Sequence, residues 1–234
     1  MKENIIIGKG LIANTFKKYL NGDENLVIFA SGVSNSAESI TSEYNREKKL
    51  LFDTIEKYKE KKLIYFSTIS VLDPSLQHKE YIKFKLQIEK ELYCTENCKV
   101  VRASNIVGNG GNPNNMFNFF INSIVKGDKI SLFEYAERNI LSVDHLAKIT
   151  LMILKKCETE KFYNILYPIS FSPIFIYKQI EEFLNKKGDY EIIGTGKQYI
   201  PELWNDIFKL YSELNIPVTD NYVNLILNKY FINL

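Results

Sequence analysis

The sequence has few cysteines, little net charge and no long apolar run, and each shortage argues against a class of protein. Cys94 and Cys98 are two of its 3 cysteines, and no histidine lies near them, so the spacing predicts no metal site. The net charge is +2 without a basic block, which argues against nucleic-acid or membrane-surface partners. No apolar run approaches the roughly 18 residues of a membrane helix.

The remaining bulk properties are typical of an ordinary globular enzyme. Three cysteines and no recognisable signal peptide fit a reducing compartment, so we expect a cytoplasmic protein. A length of 234 residues suits one large domain or a domain with a small lobe. Hydrophobic residues make up 45% and charged residues 25%, which is enough apolar material for a core.

A glycine-containing segment lies between the first predicted strand and the first predicted helix. The apolar run Ile5–Ile7 is followed by the pattern G-x-G-x-x-A, formed by Gly8, Gly10 and Ala13. Gly8 would permit a tight turn, Gly10 a close approach to a pyrophosphate, and Ala13 close packing of helix on strand. The start of the helix would face the anion. A plain strand–turn–helix is the alternative, but the pattern is typical of a dinucleotide site.

Tyr81 and Lys85 stand four residues apart, after the hydroxyl pair Ser67 and Thr68. On a helix they share one face. A neighbouring ammonium would lower the pKa of the phenol towards the range of an acid/base catalyst. A hydroxyl from a strand end could hold a carbonyl oxygen beside it. A Tyr and a Lys on an ordinary solvated helix would give the same pattern. The pair indicates a catalytic site only in combination with the glycine segment.

Predicted strands alternate with predicted helices along the first two thirds of the chain. This alternation predicts a parallel sheet with helices on both faces. The second region is rich in aromatic residues, which could line a substrate pocket but more often fill a small core. The predicted strands are 3–7, 26–30, 62–67 and 98–103, and the predicted helices are 11–21, 39–60, 80–93, 116–126, 144–156, 174–187 and a stretch from Glu202.

In this order the segments resemble the extended short-chain dehydrogenases/reductases, the group of nucleotide-sugar epimerases, dehydratases and reductases. The resemblance covers most of residues 1–155. It implies a Rossmann-like, doubly wound parallel sheet in 1–160, with substrate loops from 109–140, and a small C-terminal α+β substrate lobe in 161–234. It is carried by residues 8–13, 27–32, Asn45, 66–71, 81–85, 101–108 and 138–144.

The chain departs from the family pattern after the first helix. An acidic residue about 20 positions past the glycines usually binds the adenosine ribose at the end of the second strand. Here Asp23 and Glu24 precede the next apolar run, and that run resembles the fourth strand of the family. We therefore expect the unit of the second and third strands to be missing, with an open adenosine side and weak cofactor binding.

The resemblance implies a role for each matching residue. Thr68, Tyr81 and Lys85 would be catalytic, and Asn105 and Arg138 would contact the phosphates of a nucleotide-diphosphate sugar. The cofactor would be NADP or NAD, with NADPH favoured. Behind the site, Asn45 would order a water or a backbone bend, Arg102 would be structural and Asp144 would cap a helix. The cofactor-binding residues would be Gly8, Gly10, Leu11, Ile12, Ala30, Ser31, Gly32, Ser67, Tyr81 and Lys85.

The residues after Thr68 bear on the reaction. The 4,6-dehydratases of the group carry an acidic pair there, whereas this chain has Ile69 and Ser70, so dehydration lacks its acid and base. The favoured function is NAD(P)H-dependent ketoreduction of a nucleotide-linked keto-sugar for surface polysaccharide precursors. A 4-epimerase and a cofactor-free descendant that binds a nucleotide sugar or a partner remain alternatives. The family also implies a possible homodimer through helices 39–60 and 80–93.

Overall fold

The computed structural model describes residues 4–20, 22–36, 38, 40–156, 159–196, 199, 202–203 and 206–232. The chain divides into two compact units, Met1–Ala103 with Val143–Ile165, and Ser104–Ser142 with Leu166–Leu234. The elements in chain order are β1 (Ile5–Ile7), α1 (Leu11–Tyr19), β2 (Leu26–Phe29), α2 (Thr41–Lys57), β3 (Lys62–Thr68), α3 (Glu80–Tyr93), β4 (Cys98–Ala103), β5 (Asn105–Val107), α4 (Met116–Lys126), β6 (Lys129–Phe133), β7 (Ile140–Ser142), α5 (Val143–Lys156), β8 (Phe162–Ile165), α6 (Pro173–Leu184), β9 (Asp189–Ile193), α7 (Ile207–Glu213) and α8 (Tyr222–Tyr230).

The first unit is built on one parallel sheet with the strand order β1-β2-β3-β4-β8. In the register, Ile5 lies opposite Val27 and Leu63 opposite Cys98. The residues of β2 are all buried, as expected for a parallel strand covered on both faces. The predicted α/β fold with a parallel sheet is confirmed.

Successive side chains along a strand point to opposite faces of the sheet and pack into two separate cores. Phe29 and Tyr65 belong to a cluster that includes Phe84 of α3 and is completed by α2. Phe66, the next residue of β3, points to the opposite face. Its ring lies 5.4 Å from that of Phe16 of α1, and α1 packs against α5. Helices α2 and α3 therefore cover one face and α1 and α5 the other, so the sheet is doubly wound as predicted.

One of the first two crossover connections of the sheet is unusual in its handedness. The connections from β1 to β2 and from β2 to β3 advance in the same direction across the sheet, yet α1 and α2 lie on opposite faces. Two such connections have opposite hands, so one is left-handed, whereas about 98% of parallel crossovers are right-handed. A missing pair of strands explains this, because that pair would carry the chain away from β1 and back across the sheet.

The position of β1 agrees with the same explanation. Among the described residues β1 pairs with β2 alone and lies at the edge of the sheet. Its three isoleucines are half-buried. Among the described residues no strand pairs with the other side of β1, where the second and third strands of a complete fold would lie.

The second unit contains two pairs of short parallel strands, β5 with β7 and β6 with β9, together with α4, α6, α7 and α8. This division differs from the predicted boundary at residue 160. Segment 104–142 clusters with the C-terminal residues because β6 pairs with β9 and α4 packs on α6. Conversely β8, which we expected to open the second region, completes the main sheet beside β4.

Aromatic residues of the second unit form a packed core. Tyr167, Tyr211 and Tyr222 are all buried, and the rings of Tyr167 and Tyr222 stack with centroids 3.6 Å apart. The Tyr167 hydroxyl accepts a hydrogen bond from the backbone N–H of Thr219 at 2.7 Å. For these three residues the core interpretation of the aromatic composition holds. The predicted helical stretch from Glu202 falls partly outside the described residues, and α7 begins at Ile207.

Candidate functional site

A crevice is expected where β1 and β2 end, because the chain leaves these strands towards opposite faces of the sheet. The two strand ends are in close contact. Gly8 has a φ of 136°, and a β-carbon at this position would lie 2.3 Å from the backbone oxygen of Ala30. Fold geometry alone therefore requires glycine at position 8.

No such contact requires glycine at position 10. It precedes the first turn of α1 as its N-cap, and a β-carbon there would meet nothing within 4 Å. Leu11 and Ile12 are half-buried in the first turn, while Ala13 is fully buried against the sheet. The open space at Gly10 and the unpaired N–H groups of the helix start suit an anion such as a pyrophosphate. The residues at this end fit a dinucleotide.

The segment after β2 approaches a buried charged cluster. Ala30, Ser31 and Gly32 are half-buried. A β-carbon at Gly32 would lie 3.1 Å from both Glu47 Oε1 and Lys85 Nζ. Glycine at position 32 therefore leaves room for these two side chains.

Lys85 is held by a carboxylate that the sequence analysis did not identify. Lys85 of α3 and Glu47 of α2 are 2% and 0% exposed. Lys85 Nζ donates hydrogen bonds to Glu47 Oε1 at 2.7 Å and to the Tyr65 hydroxyl at 2.8 Å. The Tyr65 hydroxyl in turn donates to Glu47 Oε1, and the backbone N–H of Val33 donates to Glu47 Oε2 at 2.6 Å. We name Glu47, Tyr65 and Lys85 the buried triad.

The triad changes the expected chemistry of Tyr81. Lys85 Nζ lies 5.7 Å from the centre of the Tyr81 ring. Burial raises the pKa of Tyr81, and the charges of Glu47 and Tyr44 raise it further. The expectation that Lys85 lowers this pKa was wrong, because burial of the phenol disfavours its charged form and the negative charge of Glu47 adds to this effect. Tyr81 keeps its proton at neutral pH.

Lys85 itself experiences opposing influences. Burial lowers the pKa of Lys85, while the charge of Glu47 and the hydrogen bond to it favour the ammonium form. A contact between Lys85 and the nicotinamide ribose stays a prediction.

Two hydroxyls at the end of β3 behave differently. Thr68 Oγ1 accepts a hydrogen bond from the backbone N–H of Ser70 at 3.2 Å and caps a short 3₁₀ helix that packs against α3. Ser67 Oγ is buried and has no partner among the described side chains and backbone groups. Since side chains alternate along a strand, Ser67 shares the face of Tyr65. An unpaired buried hydroxyl is costly, so a partner such as a water or a ligand is expected at Ser67.

The predicted phosphate-binding residues lie in the second unit. Asn105 is exposed, and its Nδ2 donates to the backbone oxygen of Asn139 at 2.8 Å. Arg138 is half-buried, exchanges backbone hydrogen bonds with Phe171, and donates from Nη1 to the Glu137 backbone oxygen at 2.8 Å. The pairing of β5 with β7 brings Asn105 and Arg138 to the same end of one small sheet.

The surroundings of Arg102, Asp144 and Asn45 bear on the roles predicted for these residues. The Arg102 guanidinium bonds the buried Glu89 carboxylate at 2.6 Å, which fits its structural role. Asp144 lies in the first turn of α5, and burial together with Asp144 raises the pKa of Tyr19 to about 12. Asn45 is exposed on α2, so the polar group of this helix behind the site is Glu47 and not Asn45.

A sequence signal for Glu47 did exist. The buried face of α2 consists of Tyr44, Glu47, Leu51 and Thr54, three or four residues apart. A carboxylate within such an apolar stripe must find a partner. The stripe could have identified Glu47, although its partner on α3 could not be read from the sequence.

Among the described residues, no helix is both long and apolar enough to cross a membrane. Within the same part of the chain, no group of three or more His, Cys, Asp or Glu side chains is arranged to hold a metal ion.

Comparison with known proteins gives matches in structure and none in sequence. No protein-family model and no curated protein matches the chain. A UDP-N-acetylglucosamine 4-epimerase from Methanobrevibacter ruminantium, solved with UDP-N-acetylmuramic acid, has a TM-score of 0.72 at 15% identity, over 98% of this chain and 97% of that one. RMD from Pseudomonas aeruginosa, solved with NADPH, has a TM-score of 0.69 at 12% identity, over 97% and 98%.

A dTDP-glucose 4,6-dehydratase from Bacillus anthracis, solved with NAD, is similar over 94% of this chain and 74% of that one, with a TM-score of 0.64 at 18% identity. At such low identities the similarity concerns the fold. The fold implied by the resemblance to extended short-chain dehydrogenases/reductases is confirmed, and the activity of this chain must be argued from its own residues.

Proposed function

We propose that the protein is an NAD(P)H-dependent ketoreductase that acts on a nucleotide-linked keto-sugar. The observation that supports this choice is the buried ion pair between Lys85 and Glu47 at 2.7 Å, beside Tyr81, whose pKa is raised by burial and by the charge of Glu47. Reduction of a ketone needs a proton donor at the carbonyl oxygen, whereas epimerisation starts with a base that removes a proton from an alcohol. A tyrosine with a raised pKa suits the first task better.

The residues of this chain would act as follows. The bound cofactor would supply a hydride to the carbonyl carbon. Gly10 and the start of α1 would hold the pyrophosphate, and Lys85 and Ser67 would lie on the nicotinamide side. Thr68 would orient the carbonyl oxygen, while Tyr81 would donate its hydroxyl proton to that oxygen and recover a proton from water. The product is the alcohol.

The open edge of the sheet supports a dissociable cofactor. Because β1 is an edge strand in the described structure, the adenosine half of a dinucleotide would have no second strand beneath it. Weak binding suits a reductase, which releases its oxidised cofactor after each turnover. An epimerase regenerates its cofactor in place and gains from tight binding.

The substrate class is proposed from the second unit. Arg138 offers paired N–H donors that suit a diphosphate, and Asn105 lies at the same end of the sheet. A similar fold was solved with UDP-N-acetylmuramic acid, which supports a nucleotide-diphosphate sugar. A reductase of such sugars would serve the synthesis of surface polysaccharide precursors.

A homodimer through α2 and α3 remains part of the proposal. The two helices are joined by a Lys48–Glu91 ion pair at 2.6 Å, and the half-buried side chains of Phe52, Ile55 and Leu86 lie on these helices. Light scattering coupled to size exclusion tests this proposal: the wild type should be dimeric and Phe52→Asp monomeric. A monomeric wild type at micromolar concentration would contradict it.

The test of the activity is a cofactor-consumption assay with dTDP-, UDP-, GDP- and CDP-linked keto-sugars. A ketoreductase consumes one reduced cofactor for each ketone, followed by the loss of nicotinamide absorbance. Interconversion of two sugars without net consumption would support the epimerase instead. Calorimetry that detects no binding of NAD, NADH, NADP or NADPH would support the cofactor-free descendant.

A further inference from the structure

We propose that Glu47 is a positioning residue of the active site, which holds the Lys85 ammonium behind Tyr81 and balances its charge, so that Tyr81 acts as a proton donor. This inference rests on the proposed reductase function and adds to it a residue on α2. Its basis is the geometry of the buried triad, in which both oxygens of the Glu47 carboxylate accept hydrogen bonds.

The contacts of Glu47 are directional and specific to the site. Oε1 accepts from Lys85 and Tyr65, and Oε2 accepts from the backbone N–H of Val33. Val33 follows Gly32, where a β-carbon would press on both charged groups. The loop after β2 is therefore shaped around the ion pair. This loop borders the crevice expected at the ends of β1 and β2, so the pair lies next to the site and not in a remote part of the core.

The charges around the pair leave Glu47 as the main partner of Lys85. Glu89, one helical turn beyond Lys85, is bonded by the Arg102 guanidinium through both of its oxygens. The tyrosines nearby are neutral, because burial raises the pKa of Tyr65 and of Tyr81. The titratable and charged groups that face Glu47 are Lys85, Tyr81 and Glu89 of α3, Tyr65 of β3 and Tyr44 of α2.

Removing the Glu47 charge has a defined direction of effect. Burial already lowers the pKa of Lys85, and the loss of its carboxylate partner would lower it further. The loss of the same negative charge would lower the pKa of Tyr81. Tyr81 without its proton cannot act as the donor, and Lys85 without its proton no longer supplies the ammonium behind Tyr81. Both effects therefore move the alkaline limit of activity to lower pH.

The experiment compares the pH profile of kcat for the wild type, Glu47→Gln and Glu89→Gln. Both variants replace a buried carboxylate by an amide, but Glu89 pairs with Arg102 and not with Lys85. Glu47→Gln should move the alkaline limb down by about one pH unit or more, and Glu89→Gln by less than about half a unit. A Glu47→Gln profile that is lower at all pH values with an unmoved limb would overturn the proposal, since that is the result of a purely structural role.

A second measurement needs neither cofactor nor substrate. In protein labelled with ¹³C at lysine Cε, the Lys85 resonance is identified by its loss in Lys85→Met. It should report an ammonium at neutral pH in the wild type and titrate at lower pH in Glu47→Gln. Identical titrations, or a neutral Lys85 amine at neutral pH in the wild type, would overturn the inference. The wild-type result decides even if Glu47→Gln does not fold. A wild type that reduces no keto-sugar while Lys85 titrates as expected would refute the proposed function and leave the pairing intact.

Discussion

Gly8 and Ala30 touch at the ends of β1 and β2 so closely that a β-carbon on residue 8 would lie 2.3 Å from the Ala30 backbone oxygen, whereas one on Gly10 would meet nothing within 4 Å. The two glycines of the G-x-G-x-x-A pattern therefore lie in different surroundings. Gly8 serves the fold of the chain itself. Gly10 lies at the exposed start of α1, where its open surroundings suit the proposed pyrophosphate.

This contrast gives a prediction about cofactor binding. Gly10→Val should abolish dinucleotide binding, because its side chain fills the place of the pyrophosphate, and should lower the melting temperature only slightly, because it replaces a glycine N-cap. Gly8→Ala should lower the melting temperature, since it combines a clash with a left-handed φ that costs roughly 1–3 kcal/mol. Calorimetry and thermal unfolding measure both. Unaltered cofactor affinity in Gly10→Val would contradict the assignment of this segment.

The second prediction concerns the proton donor. Tyr81→Phe should lower turnover by about a hundredfold or more, with little change in substrate affinity, because only the proton transfer is lost. Tyr93→Phe is the control, since Tyr93 ends the same helix and is 66% exposed. Steady-state kinetics at several pH values measure both. Turnover of Tyr81→Phe close to that of the wild type would remove Tyr81 from the mechanism.

The raised pKa of Tyr81 predicts the pH dependence of the wild type. A proton donor is active below its pKa and inactive above it. Since burial and Glu47 raise the pKa of Tyr81 whereas burial lowers the pKa of Lys85, activity should persist through neutral pH, and its alkaline limb should follow loss of the Lys85 proton before ionisation of the phenol. The profile is measured with cofactor and substrate saturating. A loss of activity near neutral pH as the phenol ionises would show that Lys85 lowers the Tyr81 pKa after all.

The fourth prediction concerns the contribution of the Lys85–Glu47 ion pair to stability. Lys85→Met leaves the Glu47 carboxylate buried without its cation, and breaking a buried pair in this way costs about 3–5 kcal/mol. The double variant Glu47→Gln with Lys85→Met removes both charges and should regain most of that stability while remaining inactive. Chemical denaturation measures the three proteins. A double variant no more stable than Lys85→Met would show that the charge imbalance is not the cause.

The fifth prediction separates binding from folding at Arg138. Arg138→Ala should weaken the binding of a nucleotide-diphosphate sugar by about 2–3 kcal/mol, the loss of a charge-assisted bidentate contact. That corresponds to roughly 30- to 150-fold in affinity. Arg102→Ala is the control, because it breaks the bond to buried Glu89 and should lower the melting temperature without changing the affinity. A large fall in melting temperature and unchanged affinity in Arg138→Ala would remove the main support for the substrate class.

Much of the fold could be predicted because it depends on local patterns. The strand 98–103 and the helix 116–126 have the predicted bounds, since each combines a clear apolar period with a capping or turn residue. The missing strand unit could also be predicted, from the position of Asp23 and Glu24. The short strands β5, β6, β7 and β9 were missed, because three to five residues carry little periodicity and pair with distant segments.

The candidate site was predicted less completely. The spacing of Tyr81 and Lys85 correctly placed both on α3, but the sequence analysis gave Lys85 only Tyr81 and the nicotinamide ribose as partners and no carboxylate. The actual partner, Glu47, is 38 residues away on another helix. Such a pairing depends on how two helices pack on the sheet, and helix packing is not encoded in any local pattern. The correction to the pKa of Tyr81 follows first from its burial and then from the charge of Glu47.

The most direct test of the central claim follows a deuterium atom from the cofactor to the sugar. NADPH or NADH carrying deuterium at the reactive nicotinamide carbon is incubated with the wild type and the nucleotide-linked keto-sugar accepted in the consumption assay. The account predicts one deuterium at the new carbinol carbon of each product molecule and one oxidised cofactor for each product. A product that carries no deuterium, formed without net oxidation of the cofactor, would contradict it.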